Sequence, residues 1–311
     1  MKKFIKFCFI AAMILIIVGG AFYMLGWKDG RKEMDELLYE IGGDWVDFDG
    51  LVQGWESATE RIVDEGIYDL NDSSVFNDNY DILKGDVDKQ IVYQGSIGDV
   101  SLEIGGSMME ITESHDGNLY IEGRNVGKLQ AYVEGDILYV KSVRPANLEI
   151  GSSTITLYLP NSSLQVLDVS LGAGQLKLED MAVQDMAASI GAGQLLMEDM
   201  ALGTLDVTLG AGELRAEDVT VENLYASIGA GNMDFSGGIY RSAEISCSMG
   251  NVSMELEGDE DDFNYQLNCV AGNMEIDGER YSGAALERYI DNDAAKTISI
   301  DCSMGNVEVD F

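Results

Sequence analysis

Three pairs of adjacent acids, Glu179-Asp180, Glu198-Asp199 and Glu217-Asp218, recur at a fixed interval of 19 residues. Carboxylates repeating at one interval can be brought to one edge of a fold, where like charges repel unless they splay, share protons or bridge a cation. Oxygen ligands suit Ca²⁺, so these six residues are the candidate metal site, a cation column. A structural reading stands beside it, in which Asp serves the backbone of a turn and Glu is simply solvated. No other cofactor is indicated. Cys247, Cys269 and Cys302 each lie three residues before a glycine. That placement reads as a column of buried thiols packed as small hydrophobes, because a zinc site would need a fourth ligand. The single histidine, His115, follows Ser114, and sequence adjacency is not the facing geometry that a nucleophile and its base require. No catalytic residue is assigned.

These residues are positioned by a repeat. Gly-Ala-Gly occurs at 172–174, 191–193, 210–212 and 229–231, and Gly250 continues the series. Before each corner apolar residues alternate with polar ones, as in Leu167, Val169, Leu171 and again in Leu205, Val207, Leu209. After it comes a second, shorter alternation, such as Leu195 and Met197 or Leu214 and Ala216. A period of two marks strands with one face buried. Strands recurring at one interval, none able to bury its apolar face alone, predict an all-β fold, a β-solenoid (β-helix) of about 19-residue rungs. The inward positions Leu171, Ile190, Leu209 and Ile228 should then superpose. Glycine at the corner is expected to supply φ > 0. The residue after the corner is an amide or acid in every rung: Gln175, Gln194, Glu213, Asn232, Asn251, Asn273, Asn306. Such a column can hydrogen-bond along its length. Degenerate repeats extend upstream through 129–147 and 148–166.

Composition narrows the function. Against 19 Lys plus Arg stand 55 Asp plus Glu, a net charge of −36, which repels nucleic acid and leaves neutral or cationic partners. Residues 1–27 read as a transmembrane anchor: Phe7 to Trp27 is an uncharged apolar run of 21 residues behind Lys2, Lys3 and Lys6. A signal peptide cleaved near Val18-Gly19-Gly20 is the competing reading. Either way the remainder lies outside the cytoplasm, so the expected localisation is the cell membrane, single-pass, with an extracytoplasmic carboxyl-terminal domain. Residues 28–89 form an acidic juxtamembrane segment with short helices around Met34–Ile41 and Leu51–Ile62 and an exposed linker over Asp72–Asp81. Residues 90–311 form the repeat domain.

The strand Leu138-Tyr139-Val140, the strand Ile155-Thr156-Leu157-Tyr158-Leu159-Pro160 ending in proline, and the glycine-cornered rungs after it together resemble the bacterial putative-adhesin, or toastrack, domain over Gln90 to Phe311. The resemblance implies a cell-envelope β-solenoid without enzymatic activity, following a single membrane-spanning segment. The expected function is therefore a non-catalytic structural, adhesion or sensing module of the envelope. Its partners would be the membrane, through the amino-terminal helix, and an envelope protein or wall component, with no nucleic acid and no small-molecule substrate. Two alternatives stay open: a glycan-active hydrolase or lyase on the same scaffold, and a scaffold polymerising end to end through an open edge at Val307–Phe311. The segment from Glu279 to Thr297 departs from the rungs and reads as a protruding loop or short helix.

Overall fold

A computed structural model describes residues 76–143, 153–281 and 286–311. They lie within one compact unit, Ala58–Phe311. The described chain opens with β1 (Leu83–Gln94), β2 (Asp99–Ile104), β3 (Met108–Glu113), β4 (Asn118–Glu134), β5 (Ile137–Val143), β6 (Thr154–Leu159) and β7 (Ser163–Leu171). It continues through β8 (Gln175–Glu179), β9 (Ala182–Ile190), β10 (Gln194–Glu198), β11 (Ala201–Leu209), β12 (Glu213–Ile228), β13 (Asn232–Cys247) and β14 (Asn251–Leu256). After a 3₁₀ turn at Glu260–Asp262 come β15 (Phe263–Cys269), β16 (Asn273–Ile276), β17 (Glu279–Arg280), β18 (Leu286–Ile290), β19 (Lys296–Cys302) and β20 (Asn306–Asp310).

The 19-residue interval appears as parallel register. β7, β9, β11 and the second half of β12 pair side by side, so Leu171, Ile190, Leu209 and Ile228 are successive partners as expected. β8, β10 and the first half of β12 pair likewise, placing Leu176, Leu195 and Leu214 in line. Each rung thus sends one apolar residue of every two inward, and the interior becomes columns of aliphatic side chains stacked at about 4.8 Å. Those columns form a continuous hydrophobic core, with Leu195, Leu205, Leu209 and Leu214 fully buried.

The expected β-solenoid is corrected by how the strands close. β4 is 17 residues long and pairs antiparallel with both β5 and β6. From β5 the pairing runs through β2, β7, β9 and β11 to β12, and from β12 it returns through β10, β8 and β3 to β6. The result is a closed barrel of eleven strands. Closure needs strands long enough to serve both walls, and β4 and β12 supply them. A helical repeat stacked in chain order would have no such antiparallel bridge. The degenerate rung expected over 129–147 is instead the β4–β5 hairpin, turning at Gly135 with φ +65°.

Chain order is broken twice. β2 and β3 sit between β5–β6 and β7–β8, and β19 and β20 sit between β13–β14 and β15–β16. β20 is therefore hydrogen-bonded on both sides, so the open edge expected at Val307–Phe311 does not exist. The segment expected as a loop or helix carries β17 and β18, antiparallel to β16 and β15.

The expected membrane span Phe7–Trp27 and the juxtamembrane helices lie outside the described residues. Among the described residues there is no α-helix, and no helix long and apolar enough to cross a membrane. At the start of the described chain, Phe76 is buried. The Gln130 amide binds this stretch, accepting from the Asn77 N–H at 2.9 Å and donating to the carbonyls of Asn77 and Tyr80 at 2.7 and 2.9 Å.

Candidate functional site

The acidic pairs lie at one corner of three neighbouring rungs, at the ends of β8 and β10 and within β12. Glu198 is the register partner of both Glu179 and Glu217. Asp180, Asp199 and Asp218 have φ of 55°, 53° and 54°. Asp is one of the few residues with a side chain that enters this left-handed region readily, so a turn requirement accounts for it at all three positions. Within the column the Lys177 ammonium bonds the Glu179 carboxylate. That bond holds Glu179 below the usual carboxylate range, while a hydrogen bond with Glu179 and its charge hold Glu198 above it. Among the described residues no three His, Cys, Asp or Glu side chains are grouped as a metal site.

The signs oppose. Glu198 takes up its proton more readily folded than unfolded, so the stability it gives at low pH is lost as pH rises through its raised value. Glu179 contributes above its unfolded value and loses that contribution as pH falls through its lowered one. A carboxyl-carbon NMR titration should place the Glu198 midpoint above that of Glu179. Glu179→Gln should bring Glu198 back toward the ordinary range, and an unmoved Glu198 would contradict the pairing.

At the opposite end of β8 and β10, and at the start of β12, runs the amide column. Gln175 Nε2 donates to Gln194 Oε1, Gln194 Nε2 donates to Glu213 Oε2 at 2.9 Å, and Asn251 Nδ2 donates to Asn232 Oδ1 at 2.9 Å. Glycine at the adjoining corner is required by closeness and not by the positive φ expected from sequence. A Cβ on Gly193, Gly212 or Gly231 would lie 2.7, 2.6 or 2.4 Å from the carbonyl oxygen of the equivalent glycine one rung earlier. Ser114 and His115 form no pair: the Ser114 hydroxyl is buried without a partner, while His115 is exposed.

The repeat, its glycine corners and their flanking strands coincide with the Toastrack DUF4097 family model, which matches residues 97–277. The chain belongs to this family. Among solved structures it is similar to a "putative adhesin" from Bacteroides fragilis NCTC 9343, at 12% identity and TM-score 0.37, covering 74% of this chain and 97% of that one. It is also similar to a "putative cell adhesion protein" from Clostridium sporogenes ATCC 15579, at 11% identity and TM-score 0.34, covering 72% and 97%. A "putative lipid binding protein" from Parabacteroides distasonis ATCC 8503 aligns at 16% identity and TM-score 0.36, covering 73% and 98%. No curated protein matches the chain.

In this toastrack chain the three thiols stack as the sequence suggests. Cys302 is the register partner of both Cys247 and Cys269, and all three are free and buried. Hydrogen bonding with Cys247, together with burial, pushes the Cys302 thiol far up, burial raises Cys269, and the same hydrogen bond with Cys302 lowers Cys247. Enclosed thiols pack as small apolar groups, and burial keeps reagents from them. Maleimide labelling read by mass spectrometry should leave Cys247, Cys269 and Cys302 unmodified in the native toastrack chain and modify all three in denaturant. Fast native labelling of any of them would contradict this packing.

One arrangement carries no sequence signal. Lys89 Nζ lies 3.5 Å from the ring centre of Tyr158 and 4.6 Å from that of Tyr120. It fastens the exposed strand β1 to the toastrack barrel by cation–π attraction across strands that the repeat does not relate.

Proposed function

We propose that the chain is a non-catalytic, surface-associated binding module acting outside the cell, in an adhesion-type role. The observation that carries the reading is the repetition of the outer surface. One outward row recurs in register, Ser170, Ser189, Thr208, Ser227 and Ser246, so a line of hydroxyls is presented along five successive rungs. A row of like stations suits a ligand that is itself repetitive, such as a polymer of the envelope, because weak contacts add along its length. An active site converges a few different groups on one point, and translation of one pattern along a stack does the opposite. Net charge of −36 favours neutral or cationic partners and disfavours anionic polymers.

Binding of fluorescently labelled full-length chain to intact bacterial cells and isolated cell walls tests the reading. Saturable binding that survives moderate salt is expected, beside a control protein of similar net charge that does not bind. Binding no greater than that of the control would overturn it.

A further inference from the structure

A groove of about 410 Å³ lies at the glycine corners, its lining including Ala192, Gly193, Gln194, Ala211, Gly212 and Asn232. The backbone of this lining is unusual. The Ala192 N–H donates to the Gly172 carbonyl at 2.7 Å and the Gln194 N–H to the Gly174 carbonyl at 2.9 Å. The peptide between them stays out of the ladder: neither the Ala192 carbonyl nor the Gly193 N–H makes a backbone hydrogen bond. The Ala211–Gly212 and Ala230–Gly231 peptides repeat the omission. Each of these corners therefore leaves one backbone donor and one backbone acceptor unused by the ladder, at positions where Ala192, Ala211 and Ala230 are exposed.

The amide column adds to this offer. Gln194 uses one N–H on Glu213 and one lone pair on Gln175, leaving a second donor and a second acceptor site. Glu213 is the charged residue of the lining, and it is bonded to Arg215 Nη2 at 3.1 Å. On a chain of net charge −36, this is a locally neutralised groove with donors and acceptors repeated at about 4.8 Å.

We propose that the corner groove binds a neutral, unbranched glycan strand laid along the stack, one sugar to a rung. Hydroxyl and acetamido groups both donate and accept, matching every station without bringing charge. A peptide strand, rising about 3.3 Å per residue, would fall out of step with the rungs. Nucleic acid and acidic glycans would meet the chain's overall negative field. The inference rests on the reading of the chain as a surface binding module and names the ligand class for it.

Calorimetric titration of the full chain with the hexamer of N-acetylglucosamine, cellohexaose and hexagalacturonate tests it. At least one neutral hexamer should bind and hexagalacturonate should not. Ala211 is exposed, so Ala211→Trp fills the groove from outside the core and should weaken neutral-glycan binding at least tenfold with little change in melting temperature. Gln194→Leu, which keeps the corner glycines, should weaken it severalfold and serves if the tryptophan variant fails to fold. Failure of both neutral hexamers to bind, or wild-type affinity in a folded Ala211→Trp chain and in Gln194→Leu, would overturn the proposal. Wild-type chain that binds cells but neither neutral hexamer would sink this inference and leave the broader reading intact. Chain that binds neither cells nor glycans would remove both.

Discussion

Gly231→Ala is expected to destabilise the chain by roughly 3 kcal/mol, a large effect for one methyl group. The added Cβ would stand 2.4 Å from the Gly212 carbonyl oxygen and 3.3 Å from its carbon and nitrogen. The three nearest atoms are all backbone, so the tightest contact cannot be relieved by a side chain swinging aside. Relief requires the rungs to part, which would stretch the bond from the Asn232 N–H to the Gly212 carbonyl, now 3.0 Å. Gly98 is the control, because a Cβ there meets nothing within 4 Å and its φ lies outside the left-handed region. Gly98→Ala should be neutral or stabilise by about 0.5 kcal/mol through the unfolded state. Urea denaturation of the two variants reads the difference directly, and equal midpoints would contradict the close stacking of corners.

A second contrast sets neighbouring leucines against each other. Leu195 is fully buried in β10, while Leu196 points outward from the same strand and is half-buried. Leu195→Ala should cost about 2–5 kcal/mol, because the cavity it leaves between Leu176 and Leu214 cannot collapse without shifting both rungs. Leu196→Ala removes the same atoms from a partly wetted surface and should cost less than about 1 kcal/mol. The same denaturation experiment checks both, and comparable losses would mean that strand β10 does not present one face to a common interior.

The repeat region was legible because its signal is both local and periodic. Alternation fixed which residues face inward, and the 19-residue interval fixed which residues meet, as with Leu171 and Ile190. Periodicity is silent on closure. β4 joins the walls through antiparallel pairing of 118–134, and its alternation matches that of any half-buried strand. Rung order was equally hidden: Ile298, Ile300 and Cys302 would fit against Ala243, Ile245 and Cys247 or against Tyr265, Leu267 and Cys269, and the structure places them between the two sets. Interchangeable apolar columns carry no address. At the corners the residue types were read correctly and one cause was misassigned. Left-handed backbone falls to Asp180, Asp199 and Asp218, while the corner glycines answer to crowding. The unpaired corner peptides could not be foreseen, because a hydrogen bond omitted from a ladder leaves no mark on side-chain pattern.

Register and rung order together are tested most directly by distances between spin labels. Ala187 leads through partners Asp206, Tyr225 and Glu244 to Ser299, and Ser299 is in turn the partner of Gln266. At about 4.8 Å per rung, double electron–electron resonance should place Ala187→Cys about 19 Å from Ser299→Cys and about 24 Å from Gln266→Cys, backbone to backbone. Cys247, Cys269 and Cys302, being buried, stay unlabelled, and Cys8 is replaced by serine in both labelled variants. The account predicts that the pair ending at 299 is the shorter. Finding the pair ending at 266 shorter would mean that rungs stack in chain order, and broad distributions for both would mean that no common stack exists.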